Sequence, residues 1–265
     1  KLPWDDAVTL VLTYAEIPYD VIYDEEVITG KLPLYDWLHM HHEDFTGQYG
    51  KFYAMYHTAA WYQEQVRTDE AMAHKLGFDK VSQMKGAVAR RIKEFTAGGG
   101  FLFSMCSGTD SYDIALASEG LDICEKMYDG DGVTSNYNTK LDFGKTFAFR
   151  DFHLSTNPME YEFSDIDMTT QRRVPRTEDV FVLFEFSAKW DPVPSMLNQN
   201  HEQVVKGFMG QTTTFKKDYI KPEVLIMGEN KAANEARYIH GEYGKGTWTF
   251  YGGHDPEDYQ HMVGD

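Results

Sequence analysis

Cys106 is placed in the sequence where an α/β enzyme could hold a nucleophile. Three glycines at 98–100 lead into the apolar run 101–105, the cysteine ends that run, and small polar residues follow it. A buried strand, a sharp turn and a helix N-terminus expose a nucleophile above a parallel sheet. The backbone N–H groups and the dipole of the helix end favour a thiolate. The alternative is a small buried residue at a tight turn.

His254 is the matching candidate for a catalytic base. It follows the apolar stretch 246–251 and two glycines, and Asp255 and Glu257 come close behind it. A thiol, an imidazole and a carboxylate that orients the imidazole form a Cys-His-acid triad, and this pattern predicts acyl-transfer chemistry. The alternatives are a histidine that only ties down its loop, and acids that cap a helix beginning at Pro256.

The histidines near position 40 could bind a metal or line a pocket. On a strand, His39 and His41 point to one face and His42 to the other, and Glu43 follows them. Imidazoles and carboxylates at a strand end can bind zinc, so His39 and His41 form a weaker, alternative metal site. The other interpretation is that hydrogen bonds satisfy these histidines in the core and loops.

Backbone N–H groups for an oxyanion are expected from two segments. Ser107 would donate at the helix start, and Gly47 lies in the loop 46–50, which follows the histidine strand. His41 or His42 would line the same pocket if the family resemblance described below places this strand end near Cys106.

The composition excludes several classes of partner. The 265 residues carry a formal net charge of −17, which argues against nucleic acid and anionic membrane surfaces as partners. Two cysteines are too few for a disulfide scaffold. No apolar run approaches the roughly 18 residues of a membrane span, and no signal peptide is visible. We expect no cofactor.

The elements that must position these residues follow an α/β pattern. Helices are predicted from Trp4 to about 15 and over 52–76, 81–97 and 110–119. Strands are predicted over 19–23, 36–41, 101–105, 140–149, 160–166, 179–186, 222–227, 237–243 and 246–251. Because a parallel sheet normally opens with a strand, we expect a single domain over 1–265 that is truncated at both ends. The segment from about 129 to 221 reads as a β-rich insertion.

Three segments resemble the class I glutamine amidotransferase-like superfamily, and most closely its trehalose-utilisation (ThuA-like) branch. Residues 35–42 are similar to its third strand, 92–110 to its elbow, and 243–257 to its last strand and histidine turn. The chain is also similar to long Bacteroidota proteins labelled asparagine synthetase B. The resemblance implies a flavodoxin-like fold, with a mostly parallel sheet and flanking helices. It also implies a pocket that brings Cys106 close to the histidine strand.

The sequence departs from both patterns. ThuA-like chains carry histidine at the position of Cys106, and amidotransferases carry glycine where Ser104 stands. Amidotransferases also place glutamate two residues after the catalytic histidine, whereas Glu257 is three after His254.

Three functions therefore stay open. The first is a cysteine-dependent amidase or glutamine amidotransferase-like hydrolase. The second is a non-catalytic, envelope-associated binding or assembly module, and the third is a ThuA-like protein of sugar metabolism. The corresponding partners are a small amide, a protein, or a sugar-derived ligand. The sequence leaves the cytoplasm and the periplasm or envelope open as compartments.

Overall fold

A computed structural model describes residues 7–167, 179–183, 204–206, 212 and 214–253. The helices in this part of the chain are α1 (Ala7–Tyr14), α2 (Asp24–Ile28), α3 (Tyr53–Tyr56), α4 (Ala60–Lys75), α5 (Val81–Gly98), α6 (Ser107–Ala117) and α7 (Lys126–Asp129). None of these helices has the length and apolar character that crossing a membrane requires.

The strands are β1 (Trp37–His41), β2 (Phe101–Met105), β3 (Val180–Leu183), β4 (Val204–Lys206), β5 (Phe215–Lys216), β6 (Leu225–Asn230), β7 (Glu235–Tyr243) and β8 (Gly246–Tyr251). They form one sheet in the order β1-β2-β8-β7-β6-β3-β4, and β5 pairs with β7. The sheet is mixed: β1, β2 and β8 run parallel, and the remaining pairs are antiparallel. The fold class is therefore α/β.

Helix α5 forms because its apolar residues recur every three or four positions. Met84, Val88, Ile92 and Phe95 all lie on its buried side. The helix ends where Gly99 takes φ 124°, a conformation that a residue with a Cβ rarely adopts. This stop directs the chain straight into β2.

Helices α5 and α6 pack on one face of the sheet. Leu102, Trp248 and Phe250 project from that face into the main core, which also contains Ile92 of α5 and Tyr112 of α6. The Tyr112 ring meets the Phe250 ring edge-on at 6.3 Å. Burial of these side chains holds the start of α6 against the ends of β2 and β8.

Three predicted strands are wrong. Residues 19–23 have no regular structure, since Glu26 accepts a hydrogen bond from the Tyr23 N–H at 3.0 Å and α2 begins instead. Residues 140–149 and 160–166 form turns with isolated bridges. In the first of these, Asp113 accepts the N–H groups of residues 147–149 at 2.7, 2.7 and 2.9 Å, so they cannot join a ladder.

The region from about 129 to 221 contributes to the main sheet. Strand β3 pairs with β6, and β4 extends the same sheet beyond β3. The described strands of this region are therefore continuous with the rest of the fold.

Candidate functional site

Cys106 occupies a strained turn between β2 and α6. Its backbone has φ 52° and ψ −136°, a region that residues with a side chain rarely adopt. The Cys106 N–H donates to the carbonyl of Tyr251 at 3.1 Å, and its carbonyl accepts from the N–H and hydroxyl of Thr109 at 3.1 and 2.6 Å. These hydrogen bonds fix both sides of the strained residue.

Close packing between Gly108 and Ser104 completes the turn. A Cβ on Gly108 would lie 2.8 Å from the Ser104 hydroxyl oxygen. Ser104 is fully buried. Because Gly108 has no side chain, the Ser104 hydroxyl fits beside it.

The Cys106 thiol is buried beneath this turn, and the residue is only 3% exposed. Burial raises the pKa of Cys106 to about 12, and the charges of Asp110 and Asp167 add to that effect. Hydrogen bonds from the backbone and side chain of Ser107 act in the opposite direction and lower this pKa. Since burial is the strongest of these influences, the thiol is protonated at rest.

The predicted pocket histidines lie on β1 or directly after it, and β1 is the neighbour of the strand that ends before Cys106. Strand β1 pairs in parallel with β2, which sets His41 opposite Met105, the residue before the cysteine. The His41 and His42 rings stack at 4.0 Å, and the His39 ring stacks on Phe103 at 5.1 Å.

Gly47 packs against the start of α5. It has φ 82°, and a Cβ there would lie 2.7 Å from the Ser82 Cα. The carbonyl of the preceding residue, Thr46, accepts a hydrogen bond from the Cys124 thiol at 3.3 Å. Gly47 is thus close to Cys124, and its role at the Cys106 oxyanion stays a prediction.

His254, Asp255 and Glu257 lie outside the described residues. The chain leading to them is described as far as Gly253, and the Gly252 N–H donates to the Arg237 carbonyl at 2.7 Å. The triad role of these three residues stays a prediction.

Two buried carboxylates beside the elbow escaped the sequence interpretation. Asp110 lies in the first turn of α6 and Asp167 precedes the undescribed segment that starts at 168; they are 0% and 1% exposed. The spacing of Asp110, one helical turn after Cys106, was a usable signal. Asp167 had no local signal, because only the tertiary fold brings it to the site.

The sequence also did not indicate a role for Lys51. Its side chain is buried, and its ammonium donates to the carbonyls of Ser155 and Asn157 at 2.8 and 2.9 Å. Burial lowers the pKa of Lys51 to about 8. The lysine therefore joins the loop after β1 to residues 155–157.

Within the described part of the chain, one group of three side chains lies close enough together to bind a metal. It consists of Asp122, Cys124 and Asp129, whose ligand atoms lie within 4.8 Å of one another, while the site at His39 and His41 stays a prediction. The Lys80 ammonium is 2.5 Å from Asp122 and 3.0 Å from Asp129, and it also pairs with Asp131. The cluster therefore already holds a cation of its own.

Comparison with known proteins leaves the family open. No family model matches the chain, and no curated protein matches it. Among solved structures, the chain is similar to a Salmonella typhimurium protein described as a cytoplasmic protein, at 9% sequence identity and a TM-score of 0.44. That alignment covers 96% of this chain and 77% of the other. A likeness of this size supports no assignment.

Proposed function

We propose that this chain is a cysteine-dependent hydrolase of the amidase or glutamine amidotransferase type, with Cys106 as its nucleophile. The observation that carries the proposal is the backbone of Cys106, at φ 52° and ψ −136° between a buried strand and a helix start. A strained conformation costs roughly 1–3 kcal/mol, and such costs concentrate at functional sites.

A second observation supports His254 as the base. The Cys106 N–H is bonded to the carbonyl of Tyr251, so the chain that leads to His254 departs from beside the nucleophile. A base that withdraws the thiol proton is needed, since the thiol is protonated at rest. Asp255 or Glu257 would orient the imidazole.

The proposed reaction conserves the thiol and its proton. Cys106 Sγ forms a bond to the carbonyl carbon of an amide, and its proton passes to the His254 ring. The carbon–nitrogen bond breaks as the amine leaves with that proton, and water hydrolyses the thioester to regenerate the thiol. The Ser107 N–H stabilises the charge that develops on the carbonyl oxygen.

A glutamine-like electrophile, a diazoketone analogue of glutamine, tests the proposal. We expect one adduct on Cys106, read by peptide mass, and a slower reaction in His254→Ala. Cys124→Ser is the matched control, because Cys124 is buried as well and should change nothing. Labelling of Cys124 at the same rate, or no adduct on Cys106 in the folded protein, would overturn the proposal.

The burial of the thiol favours a second candidate, the non-catalytic binding or assembly module. A residue only 3% exposed is poorly placed to meet a substrate. This candidate predicts that the electrophile fails to label Cys106 and that Cys106→Ala leaves the fold and every binding activity unchanged.

A further inference from the structure

A pair of buried acids lies beside the elbow and is joined through one residue. The Thr212 N–H donates to Asp167 Oδ2 at 2.9 Å, and its hydroxyl donates to Asp110 Oδ1 at 3.0 Å. The Ser111 N–H also donates to Asp110 Oδ1, at 2.8 Å. One oxygen of Asp110 is therefore well supplied with donors.

The other oxygen of Asp110 lacks such donors. Asp110 Oδ2 is buried and finds no hydrogen-bond partner among the described residues. An ionised oxygen without a donor is strongly disfavoured away from water. Burial and the neighbouring charge of Asp167 together raise the pKa of Asp110 well above its ordinary value.

We propose that Asp110 and Asp167 together hold one proton, that this proton resides on Asp110, and that the remaining negative charge adds to burial in keeping the Cys106 thiol protonated at rest. Two buried carboxylates bridged by one residue each disfavour ionisation of the other. Both aspartates then act as positioning residues, since they influence the thiol without touching a substrate. The proposal goes beyond the hydrolase function and does not require turnover.

Among the charged groups near the thiol, the aspartate pair acts on it most directly, and its effect adds to that of burial. Among the described residues, the charges of Asp110 and Asp167 act on the Cys106 thiol, and the Tyr161 hydroxyl also interacts with it electrostatically. Glu43 approaches the same helix start near Gly108, and the Lys85 ammonium lies 3.4 Å from its carboxylate. Thr212, the third member of the cluster, is uncharged.

The pH dependence of Cys106 alkylation in variants with asparagine in place of aspartate shows how many of the two acids are protonated. In Asp110→Asn, the charge of Asp167 remains, so the pH profile of Cys106 alkylation should match that of the wild type. In the double variant Asp110→Asn/Asp167→Asn, the charge is gone, and alkylation at a fixed pH should become about tenfold faster for each unit by which the pKa falls. Faster alkylation in Asp110→Asn alone would mean that both acids are ionised. An unchanged double variant would mean that neither is. Either result overturns the proposal.

Infrared spectroscopy at pH 8 locates the proton independently of any thiol chemistry, because Asp69 and Asp113, whose pKa burial raises to about 6, are ionised at that pH. The carbonyl band of a protonated carboxylic acid should be present in the wild type, absent in Asp110→Asn and retained in Asp142→Asn, an exposed control. A wild type without this band, or a band that survives Asp110→Asn, overturns the assignment to Asp110. Circular dichroism of each variant identifies any that fail to fold. If Asp110→Asn does not fold, Asp110→Glu replaces it and should shift the band rather than remove it. A failed electrophile reaction would contradict the hydrolase while leaving these results intact.

Discussion

The backbone N–H of Cys106, directly after β2, donates to the carbonyl of Tyr251 at the end of β8 across 3.1 Å, although the two residues are far apart in the sequence. This hydrogen bond continues the β2–β8 ladder by one residue, past the pairing of Met105 with Tyr251. The strained cysteine is therefore anchored by the sheet itself, and the predictions below test the contacts that support it.

Gly246 at the start of β8 should not tolerate a side chain. A Cβ there would lie 2.2 Å from the carbonyl oxygens of Thr96 and Gly100, and backbone atoms cannot move aside cheaply. We expect Gly246→Ala to lower the free energy of unfolding by roughly 3 kcal/mol, measured in urea. Gly132→Ala is the control, because nothing lies within 4 Å of its added Cβ. Equal stabilities for the two variants would contradict the close packing of β8 against the turn after α5.

The buried ion pair of Arg237 and Asp179 should respond differently to single and double substitution. The side chains are 1% and 0% exposed, and the guanidinium donates to the carboxylate. Asp179→Leu leaves a buried cation and should cost about 3–5 kcal/mol. The double variant Arg237→Met/Asp179→Leu should recover most of that loss in the same denaturation experiment. A double variant as unstable as the single one would show that the two charges are not coupled.

Lys51 should make stability depend on pH in the alkaline range. Burial lowers the pKa of Lys51 to about 8 from its ordinary 10.5, so between these values the unfolded chain binds more protons than the folded one. Stability then rises with pH across this window, by roughly 1–3 kcal/mol, and this contribution has no slope below about pH 8. The measurement is the wild-type minus Lys51→Met difference in unfolding free energy at a series of pH values. A flat or falling difference would show that the buried amine keeps its ordinary pKa.

Lys80 should exclude metal ions from the cluster of Asp122, Cys124 and Asp129. Cadmium, which prefers thiolate ligands, should leave the wild-type melting temperature unchanged. In Lys80→Met the carboxylates lose their counter-charge, so the protein should be less stable alone and should regain stability with cadmium. The double variant Lys80→Met/Cys124→Ala is the control and should respond less. A wild type that cadmium stabilises would show that the metal displaces the ammonium.

The parts of the fold that local patterns determine were predictable. The apolar spacing of α5, its glycine stop and the strand ending at Met105 gave their positions to within a residue. The antiparallel pair β7–β8 with its turn at Gly244 was equally accessible, because alternation and turn residues specify a hairpin. The α/β class followed from these elements.

The parts that depend on distant side chains were not predictable. Residues 140–149 carry a strand-like composition, yet the Asp113 carboxylate captures three of their N–H groups. The elbow at Cys106 was foreseen from its neighbours, whereas the meeting of Asp110 with Asp167 depends on a residue far along the chain. Contacts between side chains so far apart in the sequence cannot be predicted from local sequence patterns.

The order of the strands also has a consequence for how the protein folds. The β2–β8 pair joins residues 101–105 to 247–251, so its closure needs most of the described chain to be in place. Contacts of such long sequence separation form slowly, because loop-closure entropy opposes them until other elements have ordered. During synthesis, β1 and β2 emerge long before β8 and must wait for it with one edge of β2 unpaired. We therefore expect slow refolding, and an intermediate that is prone to aggregation through that open edge.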